Sequence, residues 1–307
     1  MKILITGGAG FIGSHVADVF IRAGHEVTIL DNLTTGVREN IPAAARFYQM
    51  DITDPEVERI FIEGGFDVLN HHAAQIDVRV SVGDPLFDAR VNILGSLNLL
   101  ELCLKHGVKY VQFASTGGAL YGEQDVFPAA EDHPVRPLSP YGIAKYTVER
   151  YLFYYHAVHG IEYTAHRYAN VYGPRQNPHG EAGVVAIFCD RLIHGREAVI
   201  NGDGRQTRDY VYVEDVARAN LLTLKQPLNG PVNIGTARET DVNSIFRLLN
   251  QAGNFQAPER HGPAKKGEQL RSVISWELAR RRYGWKPEME LVEGLRRTLE
   301  FFREKNG

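Results

Sequence analysis

Sulfur is scarce in this chain, with two cysteines and three methionines among 307 residues. Cys103 and Cys189 are far apart in sequence and form no CxxC or Cys/His cluster, which argues against a disulfide framework or a structural zinc site. No metal site is expected, and free thiols suit a reducing cytoplasm. Charge of one sign is lacking too: 34 Lys+Arg against 37 Asp+Glu leave a net −3, so no broad field recruits nucleic acid or an anionic membrane. A bound polyanion would have to be met by local groups. Repeats, low-complexity tracts and long linkers are absent. Long apolar runs are absent as well, and the opening Met1–Gly7 is too short for a signal-peptide core or a membrane span.

What is present is an alternation of short apolar runs with segments of helical period, the pattern of βαβ units and a parallel sheet. At roughly 150 residues per domain the length predicts about two domains or one large α/β unit. Five runs read as strands buried on both faces: Lys2–Thr6, Glu26–Leu30, Arg46–Met50, Asp67–His71 and Tyr110–Ala114. Val16, Val19, Phe20 and Ala23 recur at helical spacing. A longer amphipathic helix is expected from Leu86 to Leu104, and another from Tyr141 to Val158. After Arg167 the rhythm changes, and Gly173, Pro174, Pro178 and Gly180 mark a boundary. Tyr210–Val213, a helix over Asp215–Leu224 and Pro231–Ile234 could return to the first unit. Ile245–Leu249 and Leu278–Thr298 supply helices to the second.

The segment Thr6-Gly7-Gly8-Ala9-Gly10-Phe11-Ile12-Gly13 lies between an expected strand and an expected helix. Glycine permits a tight turn and close backbone approach to a pyrophosphate, and a helix N-terminus then offers free N–H groups and partial positive charge. Asp31 ends the second strand about 20 residues past the glycines, where a carboxylate can accept from both ribose hydroxyls of an adenosine. It would repel a 2′-phosphate, so NAD is expected rather than NADP. Asp51, ending the third strand, can reach an adenine edge or serve as a turn residue. The fold expected is a Rossmann-type doubly wound parallel sheet with a smaller mixed α/β unit. Residues 1–167 form the NAD-binding domain with a return at about 209–235, and 168–307 mainly a substrate domain.

Tyr141 and Lys145 have the i,i+4 spacing that puts both on one helix face. Their helix follows the strand ending in Ser115-Thr116, so its first turn can overlie the carboxyl edge of the sheet. An ammonium one turn away favours phenolate and would lower the tyrosine pKa toward neutrality, making Tyr141 an acid/base. Ser115 and Thr116 could relay a proton between a substrate hydroxyl and Tyr141. His71 and His72, adjacent on a strand, point to opposite faces, which argues against a zinc hydrolase.

Taken together these residues resemble the extended short-chain dehydrogenases/reductases of the NAD-dependent epimerase/dehydratase family, and within it the nucleotide-sugar epimerases. The likeness runs nearly end to end: the TGGAGFIGSH opening, Asp31-Asn32, His71-His72-Ala73-Ala74-Gln75, Val91-Asn92, Ser115-Thr116-Gly117-Gly118-Ala119, and Tyr141 with Lys145. It continues through Arg167 to Arg175, Gly202-Asp203-Gly204, Arg208-Asp209-Tyr210 and Asn233-Ile234-Gly235. The resemblance implies that NAD stays bound while Tyr141 deprotonates the sugar 4-hydroxyl and hydride leaves C4. The resulting 4-keto sugar turns over, and hydride returns to its opposite face, which interconverts UDP-glucose and UDP-galactose. Thr116, with Ser115, would orient the 4-oxygen, and Lys145 would hold the nicotinamide ribose. The cofactor set implied is Gly7, Gly10, Phe11, Ile12, Gly13, Asp31, Asn32, Asp51, Ile52, Ala73, Ala74, Gln75, Asn92, Tyr141, Lys145 and Tyr168, the last at the nicotinamide. Thr116, Asn170, Arg208, Lys265 and Glu268 match the substrate side, Asn170 and Arg208 at the diphosphate. A homodimer through the two long helices is implied.

Departures from the pattern bear on the substrate. Lys265 and Glu268 stand where the family usually has arginine and aspartate, so a forked phosphate contact becomes a point charge from Lys265 or Lys266. Trp276 replaces a small acidic pattern. Ser272 falls near the position that limits the sugar's 2-substituent, which keeps UDP-N-acetylglucosamine, like UDP-glucuronate, as an alternative substrate. A dehydratase would carry Asp-Glu after Thr116; here Gly117-Gly118 follow, and neither moves a proton. The decarboxylases' usual glutamate is also missing. A non-catalytic NAD-sensing protein would have no need of the Tyr141/Lys145 pair.

Overall fold

The computed structural model describes residues 1–179, 183–264 and 269–306. Lys265, Lys266 and Glu268, expected at the substrate phosphates, lie outside the described residues. The chain runs β1 (Lys2–Thr6), α1 (Phe11–Arg22), β2 (Glu26–Asp31), β3 (Arg46–Gln49), α2 (Glu58–Gly64), β4 (Val68–His71), α3 (Val78–Gly83), α4 (Pro85–Ala89), α5 (Gly95–His106), β5 (Tyr110–Thr116), α6 (Gly117–Leu120), α7 (Pro140–His159) and β6 (Glu162–Tyr168). There follow β7 (Asn170–Tyr172), α8 (Val184–Ile193), β8 (Val199–Asn201), β9 (Thr207–Arg208), β10 (Tyr210–Tyr212), α9 (Val213–Thr223), β11 (Gly230–Ile234), β12 (Thr240–Asp241), α10 (Val242–Gly253), β13 (Arg260–Gly262), β14 (Arg271–Ser272), α11 (Glu277–Tyr283) and α12 (Leu291–Asn306).

Seven parallel strands form one sheet in the order β3-β2-β1-β4-β5-β6-β11. Alternation along β1 sends Leu4 into one apolar layer with Leu99, Val111, Val148 and Leu152, and Ile3 and Ile5 into the other with Val16, Phe20 and Ala217. Helices therefore cover both faces, as a doubly wound sheet requires. The chain leaves β1 toward β2 on one side and comes back to β4 on the other. The crevice at the carboxyl ends of β1 and β4 is thus the topological switch point, where such folds bind ligands.

Three sequence expectations are corrected, and one strand was not anticipated. Arg46–Gln49 is an edge strand, half-buried or exposed throughout, because no strand covers its far side. Glu162–Tyr168 is a sheet strand whose polar letters hid it: Thr164 and His166 are fully buried, accepting from Tyr110 and sharing a hydrogen bond with Thr223. Tyr210–Tyr212 pairs with β7 outside the large sheet, whereas Gly230–Ile234 does join that sheet beside β6. The Leu86–Leu104 stretch is interrupted by a π-helical turn at Arg90–Leu94, a device that often sits at functional sites. A second apolar core gathers Phe188, Phe246, Leu249, Leu295 and Leu299 from α8, α10 and α12. Cys103 and Cys189 are both buried and free. Among the described residues no helix is long and apolar enough to cross a membrane.

Candidate active site

The glycine loop closes the switch point. Gly7 has the left-handed φ of +69°, and a Cβ there would meet the Ala73 nitrogen at 2.6 Å; one on Gly13 would meet the Gly7 oxygen at 2.3 Å. β1, the strap after β4 and the start of α1 can approach this closely only through glycine. Gly10 begins α1 without a side-chain cap and the first turn holds no acidic residue, so the N–H groups of Phe11, Ile12 and Gly13 face the crevice uncapped. An uncapped helix start in a glycine cradle is the donor set that a pyrophosphate requires, and a dinucleotide fits these residues.

Asp31 is buried at the end of β2. Its Oδ2 accepts the Ala9 N–H at 3.0 Å and its Oδ1 the Leu33 N–H at 2.8 Å, which leaves acceptor capacity on each oxygen. Burial raises its pKa above the usual value, and the two N–H bonds pull the other way. Asn32 donates to Asp51 at 2.7 Å, and Asp51 also accepts from Thr53. Burial pushes the Asp51 carboxyl up, but these hydrogen bonds outweigh it and hold the group low. Ile52 is buried against Gly95 in the apolar layer below.

Ala73, Ala74 and Gln75 follow β4 as a strap, with the Ala73 N–H on Thr6 Oγ1 at 3.3 Å. Asn92, expected at the cofactor, holds this strap. Its Oδ1 accepts the Gln75 N–H, and its Nδ2 donates to the Gln75 carbonyl and to Asp88, each at 2.9 Å. Gln75 also donates to Asp88. His71 is buried with both ring nitrogens engaged by Thr6 and Ser96, and His72 stands edge-on to Tyr168. Burial lowers both histidines' pKa, His72 to about 3, so both are neutral near pH 7.

Ser139 caps α7 through the Gly142 N–H at 3.1 Å and Pro140 sets its first turn, which places Tyr141 at the carboxyl edge. A Cβ on Gly142 would lie 2.8 Å from the Ala119 oxygen, so α7 begins directly against α6. One turn on, Lys145 is 4 % exposed and donates to the Ala114 carbonyl at 2.9 Å; its Nζ lies 4.8 Å from the Phe113 ring centroid and 5.8 Å from that of Tyr141. Burial brings its pKa down to about 8, and the Asp88 charge opposes that drop. Thr116 is half-buried, with Oγ1 accepting the Ala119 N–H at 3.1 Å. The space a Gly118 Cβ would take is bounded by Asn170 Oδ1 at 3.6 Å and Thr116 Oγ1 at 3.9 Å, so these two polar groups flank one small opening. Gly117 is different, because its Cβ would strike Ile274 Cδ1 at 2.7 Å.

Two expected site residues point elsewhere. The Ser115 hydroxyl donates to Glu149 at 2.6 Å on the opposite face from Thr116, and Glu149 is forked onto the buried Arg167 at 3.0 and 2.7 Å. Strand alternation separates the two hydroxyls. Tyr168, expected at the nicotinamide, is buried in a stack with His166, and its hydroxyl accepts from Asn220 of α9 at 2.8 Å. Arg208 sits on β9, half-buried, with one guanidinium nitrogen on the Thr207 carbonyl and its strand paired to Ser272. Ser272 is itself buried. Trp276 donates to the Thr236 carbonyl at 3.2 Å and packs edge-on against Trp285. Sequence reasoning missed Asp88 and Glu149 as parts of this region. Both lie on helices expected from the pattern, and a carboxylate on a buried face was the available signal.

The sequence model of the family described as NAD dependent epimerase/dehydratase matches residues 3–235. This chain belongs to that family. Among family relatives, the UDP-glucose 4-epimerase of Mycolicibacterium smegmatis is 42 % identical over 314 residues, covering 100 % of both chains. The crystal structure of the UDP-glucose 4-epimerase of Thermotoga maritima with UDP-glucose is 49 % identical, with a TM-score of 0.98 and full coverage of both chains. That of Thermus thermophilus UDP-glucose 4-epimerase with NAD is 44 % identical, with a TM-score of 0.93 and 99 % of each chain covered.

Proposed function

We propose that this protein is an NAD-dependent UDP-glucose 4-epimerase that interconverts UDP-glucose and UDP-galactose through a 4-keto sugar. The observation that carries this over elimination or decarboxylation is the surrounding of Gly117. Ile274 fills the space where a side chain after Thr116 would start, and Gly118 follows, so no acid or base stands there to act on C5 or C6. Return of the oxidised sugar to an alcohol is then the fate left to it.

Gly7, Gly10, Phe11, Ile12 and Gly13 would hold the dinucleotide's pyrophosphate, Asp31 its adenosine ribose, and Asn32, Asp51 and Ile52 would border the adenine. Ala73, Ala74 and Gln75, kept in place by Asn92, would border its other half. Bound NAD supplies a reversible two-electron acceptor beside C4 of the sugar. Tyr141 takes the proton of the 4-hydroxyl and gives it back, while Thr116 orients the 4-oxygen from the other side. Lys145, positively charged in its buried seat, favours the deprotonated form of Tyr141 and would donate to the nicotinamide ribose. Asn170 and Arg208 hold the diphosphate so that the keto sugar turns over without leaving. A guanidinium suits that task, since it meets two phosphate oxygens in a fork.

Residues 1–167 form the cofactor unit in this reading, rejoined by α9 and β11 within 209–235. The remainder forms the substrate unit, so the two share a cleft rather than a linker. Leu86, Phe87 and Leu94 before α5, and Ile143, Tyr151, Tyr154 and Val158 on α7, are exposed apolar residues on elements that pack together. A second copy related by a twofold axis would cover them, which makes the working form a homodimer. Two free buried cysteines suit a cytoplasmic location. The test of the activity is a coupled assay of UDP-galactose consumption with UDP-glucose dehydrogenase: turnover is expected, and its absence with active coupling enzyme overturns the proposal.

A further inference from the structure

Asp209 is a carboxylate 1 % exposed that the mechanism above does not use. Its Oδ1 accepts the Thr236 N–H at 2.8 Å and the Thr236 hydroxyl at 2.6 Å; its Oδ2 accepts the N–H groups of Ala237 at 3.1 Å and Ile274 at 3.3 Å. The main chain of the same residue donates to the Ser272 carbonyl at 2.9 Å and accepts from the Asn170 N–H at 2.8 Å. Asp209 therefore ties its own segment to three others that are distant in sequence. Its own carries Arg208, and the others carry Asn170, the turn after β11, and the chain after β14.

The contacts continue outward from this point in two directions. Ile274 reaches Gly117, where its Cδ1 occupies the Cβ position at 2.7 Å, and its backbone bridges to Ala129. Thr236 is held from behind by the Trp276 indole on its carbonyl, which gives that tryptophan a place in the same web. The seat is shaped for the carboxylate: a Cβ on Gly235 would stand 2.5 Å from Oδ2, so only glycine fits there. Burial drives the Asp209 pKa up to about 6, and the hydrogen bonds from Thr236, Ile274 and Ala237 offset that only in part. A fold gains little stability from so costly a group, whereas a directional acceptor with four donors fixes the positions of the segments that supply them.

We propose that Asp209 is a positioning residue for the nucleotide sugar, fixing the span between the diphosphate contacts of Asn170 and Arg208 and the Thr116 hydroxyl that meets the sugar. This rests on the epimerase reading for its substrate. Diphosphate binding at one end would then be converted into placement of the sugar C4 at the other, which is how remote binding energy serves the chemical step.

The experiment uses NAD-loaded full-length protein and the variants Asp209→Asn and Ile274→Ala. In Asp209→Asn each rotamer turns an amide NH2 against N–H donors. UDP affinity by calorimetry is expected to fall about tenfold, and kcat for UDP-galactose about tenfold or more, with NAD content and folded fraction equal to wild type. Ile274→Ala leaves the carboxylate and its donors in place and loosens only the Gly117 end. It is expected to keep UDP affinity within about twofold while kcat falls about tenfold. Wild-type UDP affinity and kcat in Asp209→Asn, or losses that track a lower NAD content or folded fraction, would overturn the proposal. If wild-type protein does not turn over UDP-galactose, the substrate reading fails by itself, and UDP affinity still tests Asp209.

Discussion

The Lys145 ammonium lies 5.8 Å from the centre of the Tyr141 ring while it donates to the Ala114 carbonyl at 2.9 Å. The strand end thus anchors the cation, and the helix turn brings the phenol to it. If Tyr141 is the acid/base, Tyr141→Phe keeps the ring and the fold but has no proton to exchange. NAD content should match wild type, and kcat should fall by about 10² to 10⁴. Rates near wild type in a stopped assay would remove Tyr141 from the mechanism.

Lys145 should make the activity sensitive to alkali. Burial depresses its folded pKa from the ordinary 10.5 to about 8, so the protein loses this proton more readily than the unfolded chain does. Below pH 8 the buried charge opposes folding by about 3 kcal/mol, and that cost is relieved as pH rises from 8 to 10.5. In NAD-free protein the stability advantage of Lys145→Met over wild type should therefore shrink across that interval in denaturant titrations. Over the same range kcat of the holoenzyme should decline. A constant stability difference would contradict the buried, depressed ammonium.

The glycines after Thr116 should differ in tolerance. Gly117→Ala places a methyl 2.7 Å from Ile274 Cδ1, and overpacking of this kind costs about 1–3 kcal/mol. Adding Ile274→Val, which deletes that atom, should recover most of the loss in thermal melts. Gly118→Ala meets nothing closer than 3.6 Å and should melt near wild type. Equal melting of the two alanine variants would contradict the geometry.

Ser115 donates to Glu149 on the face away from Thr116. Ser115→Ala should lose about 1 kcal/mol of stability with kcat within about twofold of wild type. Glu149→Ala strips the partner from Arg167, whose side chain is 4 % exposed, and should cost about 3–5 kcal/mol. A large kcat loss in Ser115→Ala, without a stability loss, would restore Ser115 to the proton path.

What was legible in the sequence was what neighbouring residues decide. Gly7, Gly10 and Gly13 declare a turn, a close approach and a helix start within one segment. Tyr141 and Lys145 share a face because they stand four positions apart on a helix. Position across the fold was less legible. Ser115 and Thr116 are adjacent hydroxyls in sequence, yet the pleat sends one to Glu149 and the other to the crevice. Asn92 and Tyr168 matched cofactor positions, and the sequence did not show that Asp88 and Asn220 also hydrogen-bond them. The strand over Glu162–Tyr168 was hidden because Thr164 and His166 read as surface letters until Tyr110 and Thr223 are known to meet them. Asp209 is the clearest case: its four donors come from residues 27 to 65 positions further along the chain.

The central claim is tested most directly by incubating the purified holoenzyme separately with UDP-glucose and UDP-galactose, then resolving the nucleotide sugars by chromatography with mass detection. Both incubations should converge on the same mixture of the two sugars with no change in mass. Loss of water, loss of carbon dioxide, or no interconversion from either side would contradict it.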